Sequence, residues 1–185
     1  MNFRLFDIVE TEKFQFIRIH KNGNASVQKC IEDTYGEEMR NTSQLSKKPR
    51  FCIIRDPYER FLSGLKWDLY LNDINIKDVN VKKLFTTNEY HMRNSMRGHI
   101  KHTASQIPYL FNTQVSHYID ISDLNIFLKM HFKKIEHKNK SEDFQNIEKY
   151  LDKTEIMKYL HMDYYVYDYI KKSPFIWEWQ HGNIF

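Results

Sequence analysis

From Phe14 to His20 the chain sets Phe14 and Phe16 between polar neighbours and then runs through Ile17 and Ile19, the pattern of a mostly buried strand. The polar run Lys21-Asn22-Gly23-Asn24 ends it, and from Ala25 the spacing turns helical, with Val27, Cys30 and Ile31 three and four apart until Gly36. Strand, loop and helix then recur. Arg50 to Ile54 is a short apolar run of strand type, and Asp56-Pro57-Tyr58-Glu59 carries the start signals of a helix: Asp as N-cap, Pro at the first helical position and Glu to close a capping box. That helix is predicted to reach about Leu71 and to bury Phe61, Leu62, Leu65 and Leu69.

Further along, the pattern predicts a helix over Val81 to Met96, then a polar, histidine-rich stretch from His99 to Gln106. Residues from about 72 to 112 are read as an insertion over a site. Gln114 to Ile121 predicts another strand, Asp123 to Phe132 a helix opened by an Asp cap, and Glu142 to Leu151 and Glu155 to Lys171 further helices. Strands alternating with helices predict an α/β fold whose parallel sheet is covered on both faces. In such sheets ligands bind beyond the carboxyl ends of the strands, where both loops fall. There is no internal repeat and no linker; the 5 glycines and 4 prolines are read as boundaries, and the 185 residues as a single domain, 1–185.

Composition narrows the function classes. Hydrophobic residues at 41% and charged residues at 28% describe a folded chain, and no stretch reaches the roughly 18 to 20 apolar residues of a membrane span. The beginning of the chain lacks the basic-then-apolar layout of a signal peptide, so a cytoplasmic location is expected. A net charge of +4 favours an anionic ligand, but acidic residues are scattered throughout, so no nucleic-acid partner is expected. Cys30 and Cys52 lack C-x-x-C spacing and are read as core residues.

Two loops carry candidate chemistry. In the first, Gly23 allows a tight turn, the following helix start offers unpaired N–H groups and Lys21 adds a positive charge, which together make an anion cradle. The lysine precedes the glycine, opposite to the order of an ATP-binding P-loop, and an ordinary polar turn with a solvated lysine is the alternative. In the second loop, Arg55 can fork two hydrogen bonds to a phosphate, and Ser63, about two turns into the helix, can add a hydroxyl. An ion pair with Asp56 or Glu59 is the bland alternative for Arg55 and is set aside; for Arg60 a surface pair with one of these carboxylates is accepted.

His20-Lys21-Asn22-Gly23-Asn24-Ala25-Ser26 followed, 34 residues from Lys21 to Arg55, by Arg55-Asp56-Pro57-Tyr58-Glu59-Arg60-Phe61-Leu62-Ser63 resembles the sulfotransferase superfamily. More narrowly, it is similar to the Golgi carbohydrate sulfotransferases and their bacterial and viral relatives. The family patterns are P-K-x-G-[GC]-T-[SN] and R-D-P-x-x-R-x-x-S. The resemblance implies a P-loop-NTPase-like three-layer sandwich with a central parallel sheet flanked by helices. It also implies that Lys21, Asn22, Gly23, Asn24, Ala25 and Ser26 line the 5'-phosphosulfate of 3'-phosphoadenosine 5'-phosphosulfate, while Arg55 and Ser63 clamp its 3'-phosphate.

His102-Thr103-Ala104-Ser105-Gln106 resembles the family's H-x-x-P-Q segment, with Ser105 in place of proline. It implies His102 as the general base, with His99 its rival, Glu89 the next carboxylate to test, and His99 and Gln106 beside the acceptor. Lys138 to Ser141 resembles a nucleotide-approaching stretch but is read as a charged turn, the segment holding Tyr159, Asp163 and Tyr167 as a packing helix, and Trp177 and Trp179 as closing the core. His20, Asn24 and Ala25 depart from the family pattern, Ala25 removing a hydroxyl contact.

The implied reaction is direct, in-line sulfuryl transfer to a hydroxyl acceptor, a glycan or glycolipid by analogy, with 3',5'-adenosine bisphosphate as product and no metal required. Lys21 would offset charge on the departing phosphate. A non-catalytic nucleotide- or glycan-binding module and a P-loop-type kinase are the alternatives.

Overall fold

The computed structural model describes residues 7–86, 102–132, 146–178, 180, 184 and 185. Five strands form one sheet: β1 (Asp7–Glu10), β2 (Gln15–Arg18), β3 (Arg40–Thr42), β4 (Arg50–Ile54) and β5 (His117–Asp120), in the order β3-β1-β2-β4-β5. β2, β4 and β5 run parallel, with Phe16 opposite Phe51 and Cys52 opposite Tyr118. β1 pairs antiparallel with both β2 and β3, so the sheet is mixed where an all-parallel one was expected. β1 and β3 are four and three residues long, too short to leave a period in the sequence.

The alternation of each strand sorts its side chains between two cores. Val9, Phe16, Phe51, Ile53 and Ile119 meet α1 (Asn24–Tyr35) and α5 (Leu124–His131) on one face. Ile8, Ile17, Cys52 and Ile54 meet α4 (Ile107–Asn112) and α7 (His161–Lys171) on the other. The expected cover of both faces is therefore present. Cys30 and Cys52 are buried and form no disulfide, and Trp177 is a core residue at 2% exposure. The packing of α4 through Tyr109 and Leu110 makes the last residues of the expected insertion part of the sheet's own cover.

α2 (Pro57–Leu71) begins as its sequence dictates, with Pro57 at the first position and the Asp56 carboxylate accepting the Glu59 N–H at 3.0 Å. Phe61, Leu62, Leu65 and Leu69 are all buried, in a third cluster shared with α3 (Val81–Thr86) and α6 (Lys153–Tyr159). The single helix expected over Glu155 to Lys171 is two, α6 and α7, meeting at Leu160. Leu160 is wholly buried in the α2 cluster, and the bend there redirects the chain so that Val166 and Ile170 cover the sheet. Of the helix expected over Val81 to Met96, the described part ends at Thr86; of the one expected over Glu142 to Leu151, residues 142–145 lie outside the described residues, and 146–151 hold a 3-10 turn at Glu148–Tyr150 in place of a helix. Among the described residues, no helix is long and apolar enough to cross a membrane.

Candidate functional site

The parallel strands β2 and β4 are neighbours, so the turns that leave their carboxyl ends lie side by side. In the first turn Lys21 has φ 65° and Gly23 has φ 77°, the left-handed conformation that favours glycine at the second position. A Cβ on Gly23 would also stand 2.7 Å from Cδ2 of Leu124 on α5. Asn22 is wholly buried; its Nδ2 donates to the Ile53 carbonyl at 2.7 Å and to Gln106 Oε1 at 3.2 Å. Gln106 Nε2 in turn donates to the Arg55 carbonyl at 3.1 Å. Asn22 and Gln106 thus bolt the two turns to each other.

Arg55 Nη1 donates to the Lys21 carbonyl at 3.2 Å, and Nη2 lies 3.7 Å from Glu59 Oε2. The ion pair set aside in the sequence is therefore formed, on a guanidinium that also touches the Lys21 turn. Arg55 Nε is buried without a protein acceptor, leaving one donor unspent. The Lys21 ammonium stands 4.6 Å from the centre of the Trp67 ring. Burial lowers its pKa below the ordinary lysine value; Asp68 opposes that shift and Arg55 adds to it. The Arg55 guanidinium is likewise lowered, first by burial, with Glu59 opposing. Two partly desolvated cations thus lie at neighbouring strand ends, an arrangement whose charge an anion would offset.

α2 supplies two parallel rows of side chains, because residues four apart share a helix face. Glu59, Ser63 and Trp67 form one, with Glu59 reaching Arg55 and Trp67 reaching Lys21 while Ser63 lies half-buried between them in sequence. Arg60, Gly64 and Asp68 form the other, and all three meet the segment that starts at His102. Arg60 is 1% exposed and its Nη2 donates to the Thr103 carbonyl at 3.1 Å, which corrects the expected surface pair: the side chain turns inward to a buried main-chain acceptor instead. A Cβ on Gly64 would stand 2.2 Å from the His102 carbonyl oxygen, so this glycine marks a close approach in mid-helix, not a boundary. Asp68 contacts the His102 Nδ1 and accepts its main-chain N–H at 2.6 Å. The His20 ring meets His102 edge-on at 5.0 Å.

Several expected residues fall in places the sequence did not indicate. Gln106 is wholly buried, which gives it the bolting role just described rather than a surface for an acceptor. Ser26 is buried at 7% and Ala25 is exposed, while Asn24 holds a buried Oδ1 with no protein donor. His99, Glu89, Lys138 to Ser141 and Trp179 lie outside the described residues.

α7, read in the sequence as packing, also clamps the turns through polar groups. Asp163 accepts from Ser105 Oγ at 2.8 Å and from the Gln106 N–H at 3.2 Å. The Tyr164 hydroxyl donates to both Asp56 oxygens at 3.0 Å, and the Tyr167 hydroxyl to Asp120 at 2.6 Å. Trp67 and Asp68 were missed as site residues because nothing in a helical stripe says what a polar or aromatic position will face. Among the described residues, no three His, Cys, Asp or Glu side chains group so as to hold a metal ion. Comparison with known proteins assigns the chain to no family: no family model, curated protein or solved structure matches it.

Proposed function

We propose that the chain is a sulfotransferase of P-loop-like architecture that moves a sulfuryl group from 3'-phosphoadenosine 5'-phosphosulfate to a hydroxyl acceptor of the carbohydrate class. The observation that supports this reading is the 3.2 Å hydrogen bond from Arg55 Nη1 to the Lys21 carbonyl, which joins the two cationic turns that one doubly phosphorylated compound would have to span. The orphaned Arg55 Nε and the two desolvated cations fit such a donor.

In this reading the turn from Lys21 to Ser26 holds the phosphosulfate, and Arg55 with Ser63 holds the 3'-phosphate. His102 takes the acceptor's proton as the acceptor oxygen bonds to sulfur and the sulfur–oxygen bond to the adenosine phosphate breaks. Lys21 leaves Trp67 to offset the charge left on that phosphate. The protein's part is to position partners and to stabilise spreading charge.

The test is to incubate the protein with the sulfated donor, with and without chelator, and to follow release of 3',5'-adenosine bisphosphate over a panel of hydroxyl acceptors. Acceptor-dependent, chelator-insensitive release is expected. Donor binding without release on any acceptor would instead identify a binding module, and metal-dependent consumption of ATP a kinase.

A further inference from the structure

We propose that Asp68 is the positioning residue for His102, holding the imidazole in the tautomer that leaves Nε2 free to take a proton from the acceptor hydroxyl. The inference rests on His102 acting as the base in the reading above, and it adds a residue that neither the sequence motifs nor the resemblance singles out.

Asp68 is 1% exposed, and a carboxylate so buried is costly unless its oxygens are satisfied. Here both are spent on one residue: Oδ1 meets His102 Nδ1, and Oδ2 accepts the His102 main-chain N–H at 2.6 Å. One contact holds the main chain and the other the Nδ1 edge of the ring. An Nδ1 held against a carboxylate carries its hydrogen there, so the lone pair resides on Nε2. The Asp68 side chain is 1% exposed and the His102 side chain 20%, so the carboxylate is sealed while the imidazole it holds keeps some contact with solvent.

The same carboxylate also acts on Lys21, whose proton affinity it raises against the lowering effect of burial. The neighbouring row explains why the arrangement is rigid. Arg60 holds the Thr103 carbonyl, and Gly64 lets the His102 main chain lie against α2, so Asp68 meets a segment already held against the helix. During transfer the proton passes from the acceptor hydroxyl to Nε2, and the electron pair of the broken sulfur–oxygen bond leaves with the phosphate. Asp68 takes no proton in that step.

The test uses the full chain labelled with 15N-histidine, its His102 signals assigned by comparison with His102→Gln. Expected in the wild type is the Nδ1–H tautomer of neutral His102, and in Asp68→Asn a loss of that preference, since an amide cannot match a carboxylate as acceptor. Turnover with an acceptor taken from the panel should fall in Asp68→Asn by about 10²-fold or more with the donor KM unchanged. In a His102→Ala background the Asp68→Asn change should cost far less in kcat than it does in the wild type, whereas a purely structural role would cost the same in both.

An Nε2–H tautomer in the wild type overturns the proposal, as does a loss in the double variant as large as the one in the wild type. Should Asp68→Asn fail to fold, the wild-type tautomer alone decides. A wild type that releases no adenosine bisphosphate on any acceptor sinks the transferase reading separately, because the tautomer is read without donor or acceptor.

Discussion

Gly64 and His102 touch through main chain: a Cβ on the glycine would come within 2.2 Å of the histidine's carbonyl oxygen and 2.9 Å of the Thr103 nitrogen. Backbone cannot swing aside as a side-chain tip can, so the helix accepts a glycine's propensity cost in exchange for this contact. Gly64→Ala is expected to push the His102 segment off α2, costing about 1–3 kcal/mol and lowering Tm by several degrees. Thermal unfolding of the variant checks it, and a Tm equal to wild type would mean that the segment yields freely.

Lys21→Ala is expected to retain the fold while transfer falls on the order of 10² to 10³-fold. The side chain rests on Trp67 and carries none of the bolts between the turns, which belong to Asn22 and Gln106. Far-ultraviolet dichroism, Tm and release of adenosine bisphosphate, measured on the same sample, separate the two effects; undiminished turnover would remove Lys21 from the mechanism.

The two arginines of the second motif should respond in opposite ways. Arg55→Ala is expected to weaken donor binding about 10- to 100-fold with little change in Tm, because its side chain is partly exposed and its Glu59 pair is long. Arg60→Ala should instead lower Tm, since it empties a buried site and strips the Thr103 carbonyl of its donor. Calorimetric titration with 3',5'-adenosine bisphosphate, alongside thermal unfolding, tests both; equal effects of the two substitutions would contradict the division.

Acid should weaken the fold through Glu10. Burial alone would raise its pKa, but hydrogen bonds from Lys48, Arg40 and Gln15 outweigh that and hold the carboxyl at about 2 instead of 4.5. A depressed folded-state pKa contributes stability present in full above about 4.5 and lost as pH falls toward about 2. Glu10→Gln is expected to be less stable at neutral pH and to show a flatter fall in stability through that window. Urea unfolding at pH 6, 4 and 3 measures it, and parallel curves for variant and wild type would dismiss the role.

What the sequence by itself determined is local: β4 over Arg50–Ile54, α2 with its Asp56 cap and four-residue apolar stripe, the end of α1 at Gly36, and cationic turns after two strands. Each is written in neighbouring residues, through periodicity, capping chemistry and a glycine free to turn. Only the tertiary structure decided that Asn22 and Gln106, 84 residues apart, would share a hydrogen bond, or that Arg60 would turn inward to Thr103. It likewise decided that Asp68 would face His102, that Leu160 would break a helix, and that β1 would run antiparallel. Such pairings are chosen when faces pack, and a polar residue on a helix carries no local mark of the partner that packing will bring to it.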